Sequence, residues 1–152
     1  MSNFIEPSDY NASIHREILS SLLREKTAGG QPNPEYDPIV VEVCEDRAIG
    51  EMRSYLCKTY DCEKIFTAQG DERHSLILMF AIDIAIYHIF SIHNPYKIAD
   101  IRKERYERAL EWLKGVAKGN ISIAGAPRLP EAEQGNNSPW QIKADTVRPT
   151  IL

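Results

Sequence analysis

Positive charge is in short supply: 18 lysines and arginines stand against 22 aspartates and glutamates, for a net charge of −4. No cationic excess draws such a chain onto DNA or anionic lipid, which argues against a free-standing nucleic-acid-binding module and against a membrane partner. Cysteine is sparse and odd in number, with only Cys44, Cys57 and Cys62. Residues 1–7 lack the basic start and apolar run of a secretory leader. The expectation is therefore reduced thiols in a cytosol, without a disulfide framework. The Asn-X-Ser sequons at Asn11, Asn120 and Asn136 then carry no meaning.

Chemistry-bearing patterns are missing too. Gly29-Gly30 has no Lys-Ser/Thr at the distance a phosphate loop needs, and neither a G-x-G-x-x-G nor a nucleophile elbow occurs. His88 and His93 are five apart, so one helix face cannot offer both to a metal. Cys44, Cys57, Cys62 and His74 lack the tight paired spacing of a zinc site. No catalytic residue, cofactor-binding residue or metal ligand is assigned, and the expectation is a protein that is not an enzyme.

What is present is the material of one ordinary domain. The 152 residues are 43% hydrophobic and 26% charged, enough to bury a core without staples. Four segments show helical periodicity. The first starts near Ser8, carries Ile14, Ile18, Leu19, Leu22 and Leu23 on one face, and stops at Gly29-Gly30. A linker with Pro32, Pro34 and Pro38 follows. The second runs from about Ile39 to Cys57 on a stripe of Val41, Cys44, Ala48, Met52 and Tyr55, with acids early and Arg53 and Lys58 late, as a helix dipole prefers. Residues 60–71 read as a loop. The third, residues 75–92, is apolar on every side, the mark of a helix in the middle of a bundle. Its length approaches a membrane span, but Asp83 and His88 interrupt it near the centre. The fourth, about Ile98 to Lys118, pairs an apolar stripe with interleaved charges whose field is expected to cancel, and ends at Gly119.

After Gly119 the helical period is lost, and Pro127, Pro130, Pro139 and Pro149 appear. The reading is an all-α domain of four main helices over residues 4–119, then an extended C-terminal tail over residues 120–152 with a short strand at residues 120–124. Asp83 is the acid that an apolar helix would otherwise desolvate, and its expected partner is Arg105 (or Arg102) on the next helix. In the tail, Trp140, Ile151 and Leu152 are large apolar groups without a core of their own, and they are read as a partner contact.

Several blocks carry a family resemblance: Pro7-Ser-Asp9-Tyr10 before the first helix, residues 48–56 leading to Lys58-Thr-Tyr60, and Asp83-Ile-Ala85-Ile-Tyr87. The most specific is Arg105-Tyr106-Glu-Arg-Ala109-Leu110-Glu-Trp-Leu113-Lys-Gly-Val-Ala-Lys-Gly119, followed by Ile121-Ser-Ile123. Over roughly residues 4–125 the chain resembles the small head–tail joining proteins of Mu-like phages and prophages. The resemblance implies a helical virion component, made in the bacterial host cytoplasm and ending in the virion neck. It implies neck or portal proteins as partners and a homo-oligomeric ring through which DNA passes unread. A second reading is a small-molecule or regulatory binding domain using the surface around Asp83, Tyr87 and His88.

Overall fold

A computed structural model describes residues 3–12, 38–93 and 95–130. Within them the chain is all-α. Its helices are α1 (Pro38–Leu56), α2 (Cys62–Thr67), α3 (Ser75–His93) and α4 (Asp100–Ala117), with 3-10 turns at Pro7–Ala12, Gly70–Glu72 and Pro95–Lys97. The first expected helix falls mostly on residues 13–37, outside the described residues; its opening is the 3-10 turn.

Pro38 opens α1, where its missing N–H and fixed φ suit a first turn. Val41, Cys44, Ala48, Met52 and Leu56 then fall on one side and are buried. That stripe packs on α3, and α4 packs on both. α3 has no polar face: Ile77, Ala81, Ile84, Ala85, Ile86 and Ile89 are all fully buried. By length and composition α3 could cross a membrane, yet 56% of its 75–92 window is buried inside the protein, beneath α1 and α4 among others. Each isoleucine so covered contributes about 1.5–3 kcal/mol relative to exposure. α4 supplies Ala109, Leu113 and Val116 to the same core.

The loop expected over residues 60–71 contains α2 instead. Asp61 caps it, its carboxylate accepting from the Lys64 N–H at 3.2 Å, and Cys62, Ile65 and Phe66 are buried. Six residues hold too few turns for a period to show in the sequence, whereas the Asp cap is legible.

The expected strand at residues 120–124 is likewise corrected. α4 ends in a Schellman closure: the Gly119 N–H reaches Val116 O at 3.0 Å, and the Asn120 N–H reaches Gly115 O at 2.9 Å. Gly119 takes φ +82°, which a Cβ would disfavour. The chain then turns back as an irregular strap. Ile121 lies over Gly115, where an added Cβ would sit 2.5 Å from Ile121 Cδ1. Ile123 is buried, and its N–H donates to Tyr60 Oη at 2.7 Å. Further on, the Asp61 N–H meets Pro127 O at 2.9 Å and the Leu129 N–H meets Thr59 O at 3.0 Å, around a single antiparallel bridge between Tyr60 and Arg128. The strap is thus bonded to the α1–α2 corner through Ile123, Pro127 and Leu129.

Candidate functional site

Besides Tyr60, polar side chains that reach the core among the described residues form three clusters. The first is on the α3–α4 seam. Asp83 is buried, and Arg108 Nη2 lies 3.3 Å from its Oδ2 while Arg105 Nη1 lies 3.9 Å from its Oδ1. Arg105 is the partner expected from the sequence. The nearer Arg108, one turn further along, is not, because its pairing depends on how α4 is rotated against α3. Arg102 is close enough to act on Asp83 electrostatically, but among the described residues its buried Nη1 finds no hydrogen-bond acceptor. Burial pushes the Asp83 carboxyl above its ordinary pKa, and the three arginines pull against that shift without cancelling it.

The arginines of α4 that approach this seam lie apart from its acids. At 3.6 residues per turn, Asp100, Glu104, Glu107 and Glu111 recur at i, i+4, i+7 and i+11 and line one exposed stripe. Arg105 and Arg108 instead approach Asp83 on α3, with Arg102 close to both Arg105 and Asp83. Lys103 and Lys114 lie beside that acidic stripe, so it is the arginines, not all the cations, that the helix turns toward α3.

A second cluster ties three helices together. Glu51 of α1 accepts from Tyr106 Oη of α4 at 2.9 Å and lies 3.2 Å from His88 Nε2 of α3. The Tyr106 ring stacks on Tyr87, centroids 4.0 Å apart and planes within 5°. Burial, reinforced by the Glu51 carboxylate, raises the Tyr106 hydroxyl above the usual phenol range, so it stays a donor. Asp83, Tyr87 and His88 are therefore each engaged by groups of the same chain. The arrangement fixes helix register, and a ligand would have to displace Tyr106 or the arginines to use that surface.

The third cluster pins the N-terminal segment. Arg73 donates to both oxygens of Asp9, at 2.5 and 3.2 Å, and to the carbonyls of Phe4 and Gly70, each at 2.9 Å. Phe4 packs edge-on to Phe66 at 5.2 Å. Tyr10 Oη donates to Glu45 Oε1 at 2.6 Å within the core. Burial drives the Glu45 carboxyl up to about 7, aided by the neighbouring acids Asp46, Glu42 and Asp9 and opposed by the Tyr10 hydrogen bond.

An open cleft of about 500 Å³ lies beside this segment, lined by Asn3, Asp46, Gly50, Arg53, Glu63 and Gln69 among others. Arg53 and Glu63 close one wall as an ion pair at 2.5 Å. Neither the cleft nor the three clusters places a nucleophile beside a base. Among the described residues no group of three or more His, Cys, Asp or Glu side chains is set to hold a metal ion. The expected partner-contact residues Trp140, Ile151 and Leu152 lie outside the described residues.

No curated protein matches the sequence significantly. A family model described as Bacteriophage Mu, Gp36 matches residues 4–139. It takes in the helices, the capped corner and the strap, and runs past Ala126, where the resemblance read from the sequence stops. With most of its length matched, the chain belongs to the bacteriophage Mu Gp36 family.

Proposed function

We propose that this phage protein is a structural joint of the virion neck, connecting the portal of the filled head to the tail without catalysis. Family membership carries the phage part of the reading. The internal chemistry supports the structural part. Glu51, Asp83 and Arg73 are spent on other residues of the same chain, binding helices and N-terminal segment into one body. A joint that transmits load between two assemblies needs such internal rigidity and takes its contacts on the outside. α3 then acts as the core helix of a soluble protein, not as a membrane anchor. The neck reading places the protein first in the host cytoplasm and then in the particle, with portal and tail-proximal proteins as neighbours.

Quantitative mass spectrometry of purified particles tests this. The chain is expected at a fixed ratio to the portal protein, and its absence from tailed particles would remove the proposal. The alternative, a ligand site around Asp83, Tyr87 and His88, is disfavoured by the contacts those three residues already make.

A further inference from the structure

We propose that Cys57 and Cys62 are a thiol pair that a small-molecule disulfide, oxidised glutathione, converts to an internal disulfide, clamping the α1–α2 corner to which the strap is anchored. The inference goes beyond the neck reading and does not depend on it.

The turn assembles the pair. Cys57 follows directly on the last residue of α1, and its N–H still reaches Arg53 O at 3.0 Å. The chain then folds back: the N–H groups of Thr59 and Tyr60 both return to Leu56 O, at 3.1 and 2.9 Å. Asp61 caps α2, so Cys62 is the first residue of that helix. There the two thiols meet as hydrogen-bond partners, with Cys62 donating. Cys57 is exposed, whereas Cys62 is only 5% accessible. Sulfurs in contact meet the first requirement of a disulfide, and here a thiol open to solvent lies against one that is shielded. Cys44 lies about three turns back along α1 and is fully buried, so it does not compete. Among the described residues no group of three or more ligands forms around the pair to hold a metal ion instead.

The exchange balances as two thiol–disulfide steps. Cys57 gives its proton to solvent, and its thiolate attacks one sulfur of glutathione disulfide. That S–S bond breaks, a bond from Cys57 to one glutathione forms, and the other glutathione leaves as a thiolate that takes up a proton. Cys62 then loses its proton, attacks the Cys57 sulfur and expels the second glutathione, which is protonated in turn. The two cysteines are oxidised by two electrons, and glutathione disulfide is reduced to two thiols. Burial, helped by the hydrogen bond to Cys57 and opposed by Arg53, holds the Cys62 thiol above its usual range. The order of attack follows: Cys57 meets the oxidant, and Cys62 resolves the mixed disulfide. In a reducing cytosol the pair stays as thiols, and it closes where the chain meets the oxidant.

The loop so closed carries the strap. Thr59 O accepts from the Leu129 N–H at 3.0 Å, Tyr60 Oη accepts from the Ile123 N–H at 2.7 Å, and the Asp61 N–H donates to Pro127 O at 2.9 Å. All three anchors lie between the two cysteines, so tying the ends of the loop steadies them together.

The test uses the full folded chain in buffers of graded reduced and oxidised glutathione. Remaining thiols are alkylated, and the protein is mapped by mass spectrometry. The expected product has lost two hydrogens, carries no glutathione, links the peptides of Cys57 and Cys62, and leaves Cys44 free. Closure is expected to be about tenfold or more favourable in the folded chain than in urea, because a fold stabilised by a disulfide favours that disulfide equally. In the oxidised form, amide exchange at Asp61 and Leu129 should slow. Cys62→Ala, its fold checked by a melting curve, should stop at a glutathione adduct on Cys57. Several results overturn the proposal: a wild-type chain that keeps all its thiols, a lasting glutathione adduct on Cys57, or a bond between two chains in place of the internal one. Closure no more favourable than in urea, or strap exchange unmoved by oxidation, does the same.

Discussion

Replacing Arg73 by alanine should be among the most damaging single changes outside the apolar core. The guanidinium is 9% exposed and Asp9 12% exposed, so both are largely out of water. Four hydrogen bonds leave Arg73: two to Asp9, one to Phe4 O and one to Gly70 O. Truncation leaves a nearly buried carboxylate without its cation and a backbone carbonyl without its donor. Breaking a buried pair from one side costs about 3–5 kcal/mol. Asp9 keeps the Glu6 N–H at 2.7 Å, which moderates the penalty, so an overall loss of about 3–4 kcal/mol is expected. For a chain of this size that corresponds to a melting temperature lower by roughly 6–16 °C. Arg73→Lys keeps the charge but not the planar fork, and should lose about half as much. Circular dichroism melts at pH 7 measure the stability. Limited proteolysis reports whether Phe4, Ile5 and Tyr10 leave the core. An alanine variant that melts within about 2 °C of wild type, against the scale above, would refute the argument that the latch holds the segment down.

Other expectations follow from the same contacts. Gly50→Ala should stabilise α1 by about 0.5–1 kcal/mol, since a Cβ there meets nothing within 4 Å, whereas Gly119→Ala, at φ +82°, should destabilise by about 1 kcal/mol; chemical denaturation of the pair checks the opposite signs. Because the Glu45 carboxyl titrates near 7 when folded and near 4.5 otherwise, its ionisation is paid only in the native state. Stability should therefore fall as pH rises from about 4.5 to about 7, and Glu45→Gln should flatten that slope in melts taken across the range. Asp83→Asn should change stability at pH 7 by no more than about 1 kcal/mol, because burial already outweighs the arginines and the amide keeps an acceptor for Arg108; a loss several times larger, seen in denaturant titration, would show the ion pair to be a net stabiliser. Tyr60→Phe removes the acceptor of the buried Ile123 N–H and should cost about 1–3 kcal/mol, with faster hydrogen exchange at Ile123.

The long helices were legible because each repeats its pattern over several turns. Pro38 marks the start of α1, Gly119 the end of α4, and the all-apolar run of residues 75–92 the central helix. Short and non-local features were not legible. α2 spans six residues, and only the Asp61 cap advertises it. The strap is held by partners about 60 or more residues away, such as Tyr60 for Ile123 and Thr59 for Leu129, and no local pattern encodes that pairing. Asp83 stood out as a buried acid by its surroundings on the helix, but choosing among Arg102, Arg105 and Arg108 needs the rotation of α4. The turn of the α4 arginines toward α3 could have been found by projecting residues 100–111 onto a helix; read linearly, the alternation conceals it. Glu51, His88 and Tyr106 come from three different helices, and only packing brings them together.

The claim that this family member joins head to tail is tested most directly by electron microscopy of lysates from a phage lacking the chain. DNA-filled heads and complete tails lying separate are expected, rejoined when the protein is supplied in trans. Intact tailed particles in its absence would contradict it.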